Sequence, residues 1–405
     1  MREQMSRRSF LAEATAMVGV SAVARPGSAA NERIGIGLIG CGGRGSALLG
    51  ELLALATEHG VEVRALCDVW SINLERAATV VERDQGRRPR LFRRFGELIA
   101  ASDIDAVIIA TPDFAHGPIL VEALGARKDV YVEKPMTIDL DEANRALDLA
   151  RAHACVVQAG TQRRSEGAYR AAAREVATGM LGTITRVSAS VNFCEPRWAR
   201  DINDCREADV DWAAYLFNRP ARPFDPRLLR RWQLYRDCTN GLSGLWMSHY
   251  VDSVHLLTGA RYPASAVAHG GIYLWHDGRE HTDVFHALLD YPEGFLFDWA
   301  MSLTNSAGNR FAIYGDQGTL DVEAWSVGPG GGRPSSPVSA HPISADPNRS
   351  HMGNWLDCIR SRERPAADIE FGHQHAVATI LAARALETGT RQHYDAARRA
   401  IGTPS

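Results

Sequence analysis

Lysine is almost absent from this sequence, since only Lys128 and Lys134 are lysine among its 45 lysine and arginine residues. Lys134 stands in the tripeptide Glu133-Lys134-Pro135, directly after a short apolar run. Arginine keeps its proton near neutral pH, whereas burial can lower the pKa of a lysine until the amine exchanges a proton. Lys134 is therefore the first candidate for proton-transfer chemistry, and Lys128 fits an ordinary surface position.

A glycine-rich turn follows the apolar run 34–39 and reads Gly40-Cys41-Gly42-Gly43-Arg44-Gly45. In the pattern G-x-G-x-x-G, successive glycines allow the tight turn, the approach of a pyrophosphate and close packing of the next helix. That helix presents free N–H groups and its positive dipole end to phosphates. Asp68 ends the second apolar run, where a carboxylate binds an adenosine ribose and repels a 2′-phosphate. These features predict a bound dinucleotide, NAD rather than NADP.

Further polar positions fall where later strands end. Thr111-Pro112 closes one apolar run and Glu133-Lys134 closes the next, and parallel strands present ligand-binding residues at this carboxyl edge. His116 follows near a helix start, where a role at the cofactor edge and a capping or packing role both remain open. The predicted cofactor-binding residues are Gly40, Cys41, Gly42, Gly43, Arg44, Gly45, Asp68, Thr111, Pro112, His116, Glu133 and Lys134.

The elements that must position these residues alternate between strands and helices. Repeated strand-helix alternation predicts right-handed crossovers and a doubly wound parallel sheet, as in a Rossmann domain. We predict strands at 34–39, 61–69, 90–95, 105–111 and 130–133, a sixth ending near residue 164, and helices at 46–58, 72–83, 117–127 and 141–153.

The pattern changes after about residue 162 to longer strands of alternating polarity, which are typical of an antiparallel sheet in a second domain. The segment 195–243 is irregular and rich in Trp, Arg and Pro, and long ordered loops are usually functional covers or partner surfaces. Residues 327–349 are predicted to form a mobile surface loop. The predicted strands are 184–191, 264–274, 284–289, 295–301, 311–313 and 319–322, and the helices are 167–179, 352–360 and 374–388.

Five segments together resemble the Gfo/Idh/MocA oxidoreductase family: GCGGRG, ALCD, DAVIIATP, VYVEKPMT and VQAGTQRRS. The similarity is to its exported members and covers nearly the whole mature chain. It implies a Rossmann domain followed by an α/β domain with an open, mostly antiparallel sheet. It also implies that Lys134 contacts the oxygen of the reacting substrate carbon near the nicotinamide.

The family's second catalytic element, D-x-x-x-H, corresponds here to the stretch from Leu245 to His249. The histidine matches, but Leu245 stands where the family often has aspartate. A histidine near its ordinary pKa is suited to take a hydroxyl proton, so Lys134 and His249 are the predicted catalytic residues. The missing carboxylate leaves open how the tautomer of His249 is fixed and whether dehydrogenation proceeds in the usual way.

Substrate-binding residues are predicted at the junction of the two domains. Gln162, Arg163 and Arg164 end the sixth strand there, and Asp252 lies in the matched helix; a solvated basic corner is the alternative for the first three. His249, Asp252 and His255 would fan over about 120° of a helix, so no metal site is predicted. Side chains that could stack on sugar faces, or serve as core or dimer contacts, are Trp198, Trp212, Trp232 and Trp246.

The composition of the 405 residues, with 45% hydrophobic residues and a net charge of −3, predicts a soluble protein of two domains. No basic tract indicates nucleic acid, and no long apolar run beyond the amino terminus indicates a membrane span. Ser6-Arg7-Arg8-Ser9-Phe10-Leu11 resembles a twin-arginine signal, and Ser28-Ala29-Ala30 offers a cleavage site. We therefore expect a signal peptide at 1–30, an NAD-binding domain at 31–155, a substrate and oligomerisation domain at 156–405, and a periplasmic location.

A periplasmic enzyme has no replenished pool of NAD, so it must hold its cofactor and return the electrons. One hypothesis is a sugar or polyol oxidoreductase. A second is an NAD-retaining glycosidase that oxidises its substrate transiently, and Leu245 makes that alternative more credible. A third is a non-enzymatic sugar- or nucleotide-binding protein. A homo-oligomer is expected, and the pairing of Cys194, Cys205 or Cys238 is left open.

Overall fold

A six-stranded parallel sheet organises the first part of the chain. The computed structural model describes residues 33–217, 219–331, 333 and 338–402, so the predicted signal peptide lies outside the described residues. The strand order is β3-β2-β1-β4-β5-β6, and the direction of winding reverses between β1 and β4, where such sheets bind ligands. The strands are Ile34–Ile39 (β1), Val61–Cys67 (β2), Arg90–Phe92 (β3), Ala106–Ile109 (β4), Asp129–Val132 (β5) and Val157–Ala159 (β6).

The strands of this sheet are apolar because helices cover both faces, and every residue of β4 is buried. Two helices begin three and four residues earlier than predicted. The first starts at Gly43 rather than residue 46, and the fourth starts at Asp113 rather than residue 117, because Gly117-Pro118 imitates a helix start inside it. The helices are Gly43–Leu55 (α1), Ser71–Gln85 (α2), Phe95–Ile99 (α3), Asp113–Gly125 (α4) and Leu140–His153 (α5).

A ten-stranded, mostly antiparallel sheet forms the second part, with order β14-β13-β12-β11-β7-β10-β9-β8-β15-β16. Only the pair β7 and β10 is parallel among these strands of the described chain. The strands are Ile184–Asn192 (β7), Ser265–Gly271 (β8), Val284–Tyr291 (β9), Phe295–Ser302 (β10), Arg310–Gly315 (β11), Thr319–Asp321 (β12), Ser326–Gly328 (β13), His341–Pro342 (β14), Gln392–Asp395 (β15) and Ala400–Gly402 (β16). Strands β13 and β14, at one edge of this sheet, lie within or beside the stretch 327–349 that the sequence predicted as a surface loop.

Helices tie the two sheets together. The helices of the second part are Gly167–Ala177 (α6), Trp212–Leu216 (α7), Pro226–Arg230 (α8), Ser248–Thr258 (α9), His351–Ser361 (α10) and Ile369–Thr388 (α11). Helix α10 returns to the first domain, where its buried Trp355 and Leu356 join the core beside β1. Helix α11 packs against α5 and β6 on one side and α9 and β8 on the other. Strand β6 belongs to the parallel sheet, past the boundary predicted at residue 155.

The segment 195–243, called the cover below, lies over the carboxyl edge of the parallel sheet. It contains α7, α8 and short turns, and two small apolar clusters fix it to the first domain. Phe114 packs with Tyr215 and Cys238 in one cluster, and Trp70 packs with Cys205 in the other. All seven cysteines are free thiols. None of the helices in the described ranges is long and apolar enough to cross a membrane.

Candidate active site

The glycine turn after β1 adopts a geometry that only glycine allows at two positions. Gly40 has φ +92°, and a Cβ atom there would lie 2.6 Å from the carbonyl oxygen of Ala110. A Cβ atom on Gly45 would lie 1.9 Å from the carbonyl oxygen of Gly40. By contrast, a Cβ atom on Gly42 would come no nearer than 3.9 Å to another residue, and one on Gly43 would meet nothing within 4 Å. The turn therefore leaves open space beside the start of α1, as a bound pyrophosphate requires.

Asp68, at the end of β2, is fixed by the backbone on both sides. Its Oδ2 accepts the N–H of Cys41 at 2.7 Å, and its Oδ1 accepts the N–H of Trp70 at 2.8 Å. Burial raises the pKa of Asp68, and these two N–H groups lower it in part. Each oxygen of a carboxylate accepts more than one hydrogen bond, so Asp68 can also receive ribose hydroxyls.

A cavity of about 530 Å³ runs along this sheet edge, with the glycine turn on one side and the cover on the other. Thr111 lines it, and the buried Oγ1 of Thr111 has no hydrogen-bond partner among the described residues. The open glycine cradle, the ribose-binding carboxylate and this unpartnered hydroxyl all fit a dinucleotide. The predicted residues that line the cavity are Gly40, Gly42, Gly43, Arg44, Asp68, Thr111 and Pro112. A groove of similar volume, about 560 Å³, lies along residues 222–228 and contains none of the predicted residues.

Lys134 lies next to this cavity, at the end of β5. Arg44 lines the cavity, and its Nε lies 2.6 Å from Oε1 of Glu133, the residue before the lysine. The Nζ of Lys134 donates a hydrogen bond of 2.7 Å to the carbonyl oxygen of Leu245. Burial lowers the pKa of Lys134, whereas the charges of Asp113 and Glu133 oppose that shift. The amine is therefore held across the domain junction in a state that favours proton exchange.

Asp113 is a site residue that the sequence reasoning missed. It is 3% exposed at the start of α4, and its Oδ2 accepts the hydroxyl of Thr239 at 2.7 Å. Burial raises the pKa of Asp113, and the charges of His116 and Lys134 lower it in part. The signal for it was present, because it follows Thr111-Pro112 directly at the carboxyl edge.

His249 faces the same junction, at the start of α9. Burial lowers the pKa of His249 well below its ordinary value, and the charges of Lys134 and Arg163 lower it further. Its imidazole has no hydrogen-bond partner in the part of the chain that the structure describes. The ring is therefore neutral near pH 7 and has both nitrogens available to a substrate.

The residue in place of the family aspartate acts through its backbone. Leu245 is buried within a π-helical turn, Ser243–Met247, that leads into α9. Single π turns leave carbonyl groups out of the regular helical pattern and are frequent at functional sites. The carbonyl group of Leu245 thus takes the amine of Lys134, and no carboxylate stands at this position to fix the tautomer of His249.

Arg163 and Gln162 also reach the junction, although they lie in a 3-10 turn, Gln162–Ser165, rather than at the end of a strand. The guanidinium group of Arg163 lies over the ring of Tyr250, 4.3 Å from its centroid. The Nε2 of Gln162 donates to Oε1 of Glu133 at 3.2 Å. The structure therefore places these two residues at the junction with Lys134 and His249, where contact with a substrate stays a prediction.

Arg164 and Asp252 are not available to a substrate, which corrects the prediction for both. The Nε of Arg164 lies 2.8 Å from Oδ1 and 2.9 Å from Oδ2 of Asp252, and the two side chains are 3% and 1% exposed. They form a buried ion pair, because the 3-10 turn directs successive arginines to different sides.

His116 and Cys41 are likewise occupied within the protein. The ring nitrogens of His116 lie 2.8 Å from the carbonyl oxygens of Pro135 and Thr111, so this histidine joins two strand ends. The thiol of Cys41 is buried, and its backbone N–H is bonded to Asp68. Neither residue lines the cavity, so the packing role is the one observed for His116.

The other side chains weighed as ligands also have partners of their own. His255 bonds to the hydroxyl of Tyr291 at 2.8 Å, and no group of three or more metal-ligating side chains occurs within the described ranges. Trp212 stacks on Tyr215 inside the cover, and Trp246 lies against Phe193. Of the four tryptophans, Trp232 lines the dinucleotide cavity.

Comparison with known proteins identifies the two parts of the chain. Residues 34–161 match the family model described as oxidoreductase family, NAD-binding Rossmann fold, of the Gfo/Idh/MocA group. Residues 211–321 match the Gfo/Idh/MocA C-terminal domain, and the two matches take in more than half of the chain. The first domain is an NAD-binding Rossmann domain.

Curated relatives include both dehydrogenases and glycosidases. A glycosyl hydrolase family 109 protein of Shewanella baltica is 31% identical over 119 residues, which are 28% of this chain and 25% of that protein. The scyllo-inositol 2-dehydrogenase (NAD(+)) of Bacillus subtilis is 33% identical over 149 residues, 33% of this chain and 43% of that protein. The matched region thus spans a quarter to less than half of these relatives.

Solved structures share the fold over nearly the whole chain. The WlbA dehydrogenase of Bordetella pertussis, in complex with NADH and UDP-GlcNAcA, superposes with TM-score 0.66 at 20% identity, covering 90% of this chain and 99% of that one. The aldose-aldose oxidoreductase of Caulobacter crescentus, complexed with glycerol, gives TM-score 0.66 at 17% identity, covering 89% and 100%. At these identities the likeness shows the common fold.

Proposed function

This chain belongs to the Gfo/Idh/MocA family of NAD-binding oxidoreductases, and we propose that it transfers hydride between NAD and a carbon of a sugar, polyol or sugar derivative. The observation that carries the proposal is the group at the domain junction, where Lys134 and His249 meet beside the dinucleotide cavity. The bound nicotinamide supplies the hydride acceptor and donor. The protein's own residues must then bind the substrate hydroxyl and move its proton.

Lys134 and His249 divide that task. The pKa of His249 lies well below the ordinary value that the sequence argument assumed, which weakens the ring as a base but keeps it neutral, so a ring nitrogen is free to accept the hydroxyl proton as the carbon is oxidised. The amine of Lys134, held by the carbonyl group of Leu245, can donate a hydrogen bond to the same oxygen. Asp113 and Glu133 keep negative charge beside the lysine, which limits the fall of its pKa. Arg163 and Gln162 are the residues we assign to substrate contacts.

A second candidate is an NAD-retaining glycosidase, in which the same two residues assist a transient oxidation and an elimination. Two observations favour it: the similarity to glycosyl hydrolase family 109 proteins and the absence of a carboxylate at Leu245. A non-enzymatic binding protein is the third candidate, and the presence of both proton-transfer residues argues against it.

The predicted twin-arginine signal supports export, so we propose a periplasmic enzyme whose NAD stays bound and is restored within each catalytic cycle or by a second sugar. Fractionation of bacterial cells that express the chain with a tag at its carboxyl end tests the location. We also propose a homo-oligomer assembled through the open sheet, on which Leu288 is 43% exposed. Light scattering of the purified protein tests that state.

Mass spectrometry of the denatured protein tests the cofactor, and a sugar library tests the reaction. We expect NAD to be released, and the absorbance of the reduced nicotinamide to rise when the holoprotein meets its sugar or polyol. Aryl glycosides separate the two enzymes, because release of the aglycone without net NADH indicates the glycosidase. A protein that neither carries nor binds NAD would refute both.

A further inference from the structure

The cover places two arginines on the wall of the dinucleotide cavity. Arg200 and Arg230 both line the cavity, and neither belongs to the parallel sheet that forms the other wall. The Nη1 of Arg200 donates to the carbonyl oxygen of Arg230 at 3.0 Å and to Oε1 of Gln233 at 2.8 Å. The guanidinium group of Arg230 lies over the ring of Trp70, 4.9 Å from its centroid. Arg200 is therefore held by other residues of the cover, and Arg230 is held by Trp70 of the first domain.

The positive charge of this pair is only weakly opposed by carboxylates among the described residues. No carboxylate lies within ion-pair distance of Arg200 in the part of the chain that the structure describes, and the nearest for Arg230 is the exposed Asp204 at 3.9 Å. Although the open cavity leaves Arg200 in contact with solvent, the protein around it lowers its pKa, and the charge of Arg230 lowers it further. Two adjacent cations whose one nearby carboxylate is distant and exposed are stabilised by an anion bound between them.

We propose that Arg200 and Arg230 bind the pyrophosphate of the dinucleotide from the cover, opposite the glycine turn, and so keep NAD on the protein between turnovers. The start of α1 binds one side of the phosphates through N–H groups, and the two guanidinium groups bind the other side. This inference rests on NAD binding by the first domain and not on the substrate proposed above.

The packing of the cover explains why release would be slow. Tyr215 meets the ring of Phe114 edge to face, and Arg219 lies over the same ring at 3.6 Å. From the first domain, Nη2 of Arg93 donates to the carbonyl oxygen of Asp209 in the cover at 3.3 Å. For a dinucleotide to leave, the cover must lift and these contacts must break. The arginines then add an attraction that exists only while NAD is bound.

The test compares the dissociation rate of NAD from the wild-type holoprotein with the rate from variants in which only Arg200 and Arg230 are replaced. We expect Arg230→Ala, alone and with Arg200→Ala, to raise the dissociation rate of 1,N6-etheno-NAD about 10- to 100-fold, the usual effect of losing a charge-assisted contact. The control is Arg227→Ala on the same helix, because Arg227 is 59% exposed, pairs with Asp225 and does not line the dinucleotide cavity. Its dissociation rate is expected to equal that of the wild type.

Two further measurements distinguish weaker phosphate binding by Arg200 and Arg230 from a loss of folding. Arg230→Lys keeps the charge and is expected to retain more NAD than Arg230→Ala, and dissociation from the wild type is expected to accelerate with ionic strength. Unchanged dissociation in the folded double variant would overturn the proposal, as would a loss confined to NADP, which would place the arginines on a 2′-phosphate. A protein that holds NAD through these arginines yet oxidises no sugar would refute the substrate assignment alone.

Discussion

The buried pair of Arg164 and Asp252 supports a prediction that separates a structural role from the substrate-binding role suggested by the sequence. We consider Asp252→Asn, which keeps the shape of the side chain and removes its charge. The variant leaves the guanidinium group of Arg164, which is 3% exposed, without its carboxylate. Breaking a buried pair in this way costs about 3–5 kcal/mol of the free energy of unfolding, because an uncompensated charge stays buried.

The burial of the pair determines how replacing both partners changes the free energy of unfolding. Burial raises the pKa of Asp252 even though Arg164 lies beside it, so the cost of removing the carboxylate from water exceeds the attraction of the guanidinium group. Replacing both partners by apolar residues, as in the double variant Arg164→Met with Asp252→Leu, is therefore expected to recover most of the loss. Arg174→Ala is the surface control, since Arg174 is 62% exposed in its pair with Asp346, and its removal is expected to change stability far less than Asp252→Asn does.

Urea denaturation of the four proteins at pH 7 measures these differences. Once the substrate is known, KM of Asp252→Asn is measured on the fraction that remains folded, and we expect it to change less than threefold. A variant with wild-type stability and a large rise in KM would refute the structural assignment and restore the substrate-binding role.

Three further predictions follow from the site and the fold. Lys134→Met is expected to reduce turnover about 10²- to 10⁴-fold, whereas the matched Lys128→Met, at the other end of the same strand, keeps turnover; equal activity in the two would remove Lys134 from the mechanism. Gly45→Ala is expected to lower the free energy of unfolding and the affinity for NAD, because its Cβ would lie 1.9 Å from the carbonyl oxygen of Gly40. Gly50→Ala in the same helix, where nothing lies within 4 Å, is expected to raise the free energy of unfolding by up to about 1 kcal/mol. Thermal unfolding of both variants, with and without NAD, measures these changes. Burial lowers the pKa of His351 to about 4, so the unfolded state binds a proton before the folded state does as the pH falls. About 3 kcal/mol of the free energy of unfolding is therefore lost between roughly pH 6.5 and 4. Urea titrations in which His351→Gln loses as much stability over this pH range as the wild type would contradict this.

The sequence predicted those parts of the site that depend on neighbours along the chain. The glycine turn, Asp68 and Lys134 each end a strand, and parallel strands end at one edge, so a local pattern places them together. Arg200 and Arg230 lie more than a hundred residues from the glycine turn and Asp68 and reach the cavity through the packing of the cover, which no periodicity reports. The roles of Arg163 and Arg164 could not be told apart from the sequence. The 3-10 turn directs Arg163 to the domain junction and Arg164 to the buried carboxylate of Asp252, and the alternation of side chains along a strand does not predict which arginine faces which partner.

Leu245 shows how a departure from a family pattern changes the electrostatics of a site while its geometry is kept. A carboxylate at this position would hold the amine of Lys134 and raise its pKa, whereas the carbonyl group of Leu245 holds the amine at 2.7 Å and carries no net charge. The fall in the pKa of Lys134 is then opposed mainly by Asp113 and Glu133, both on the first domain. Burial lowers the pKa of His249, nearby cations lower it further, and Leu245 supplies no anion to stabilise the protonated ring. Both proton-transfer groups are thus shifted toward their neutral forms, in which each has a lone pair free to receive a proton from a substrate hydroxyl and a lower affinity for that proton than in water.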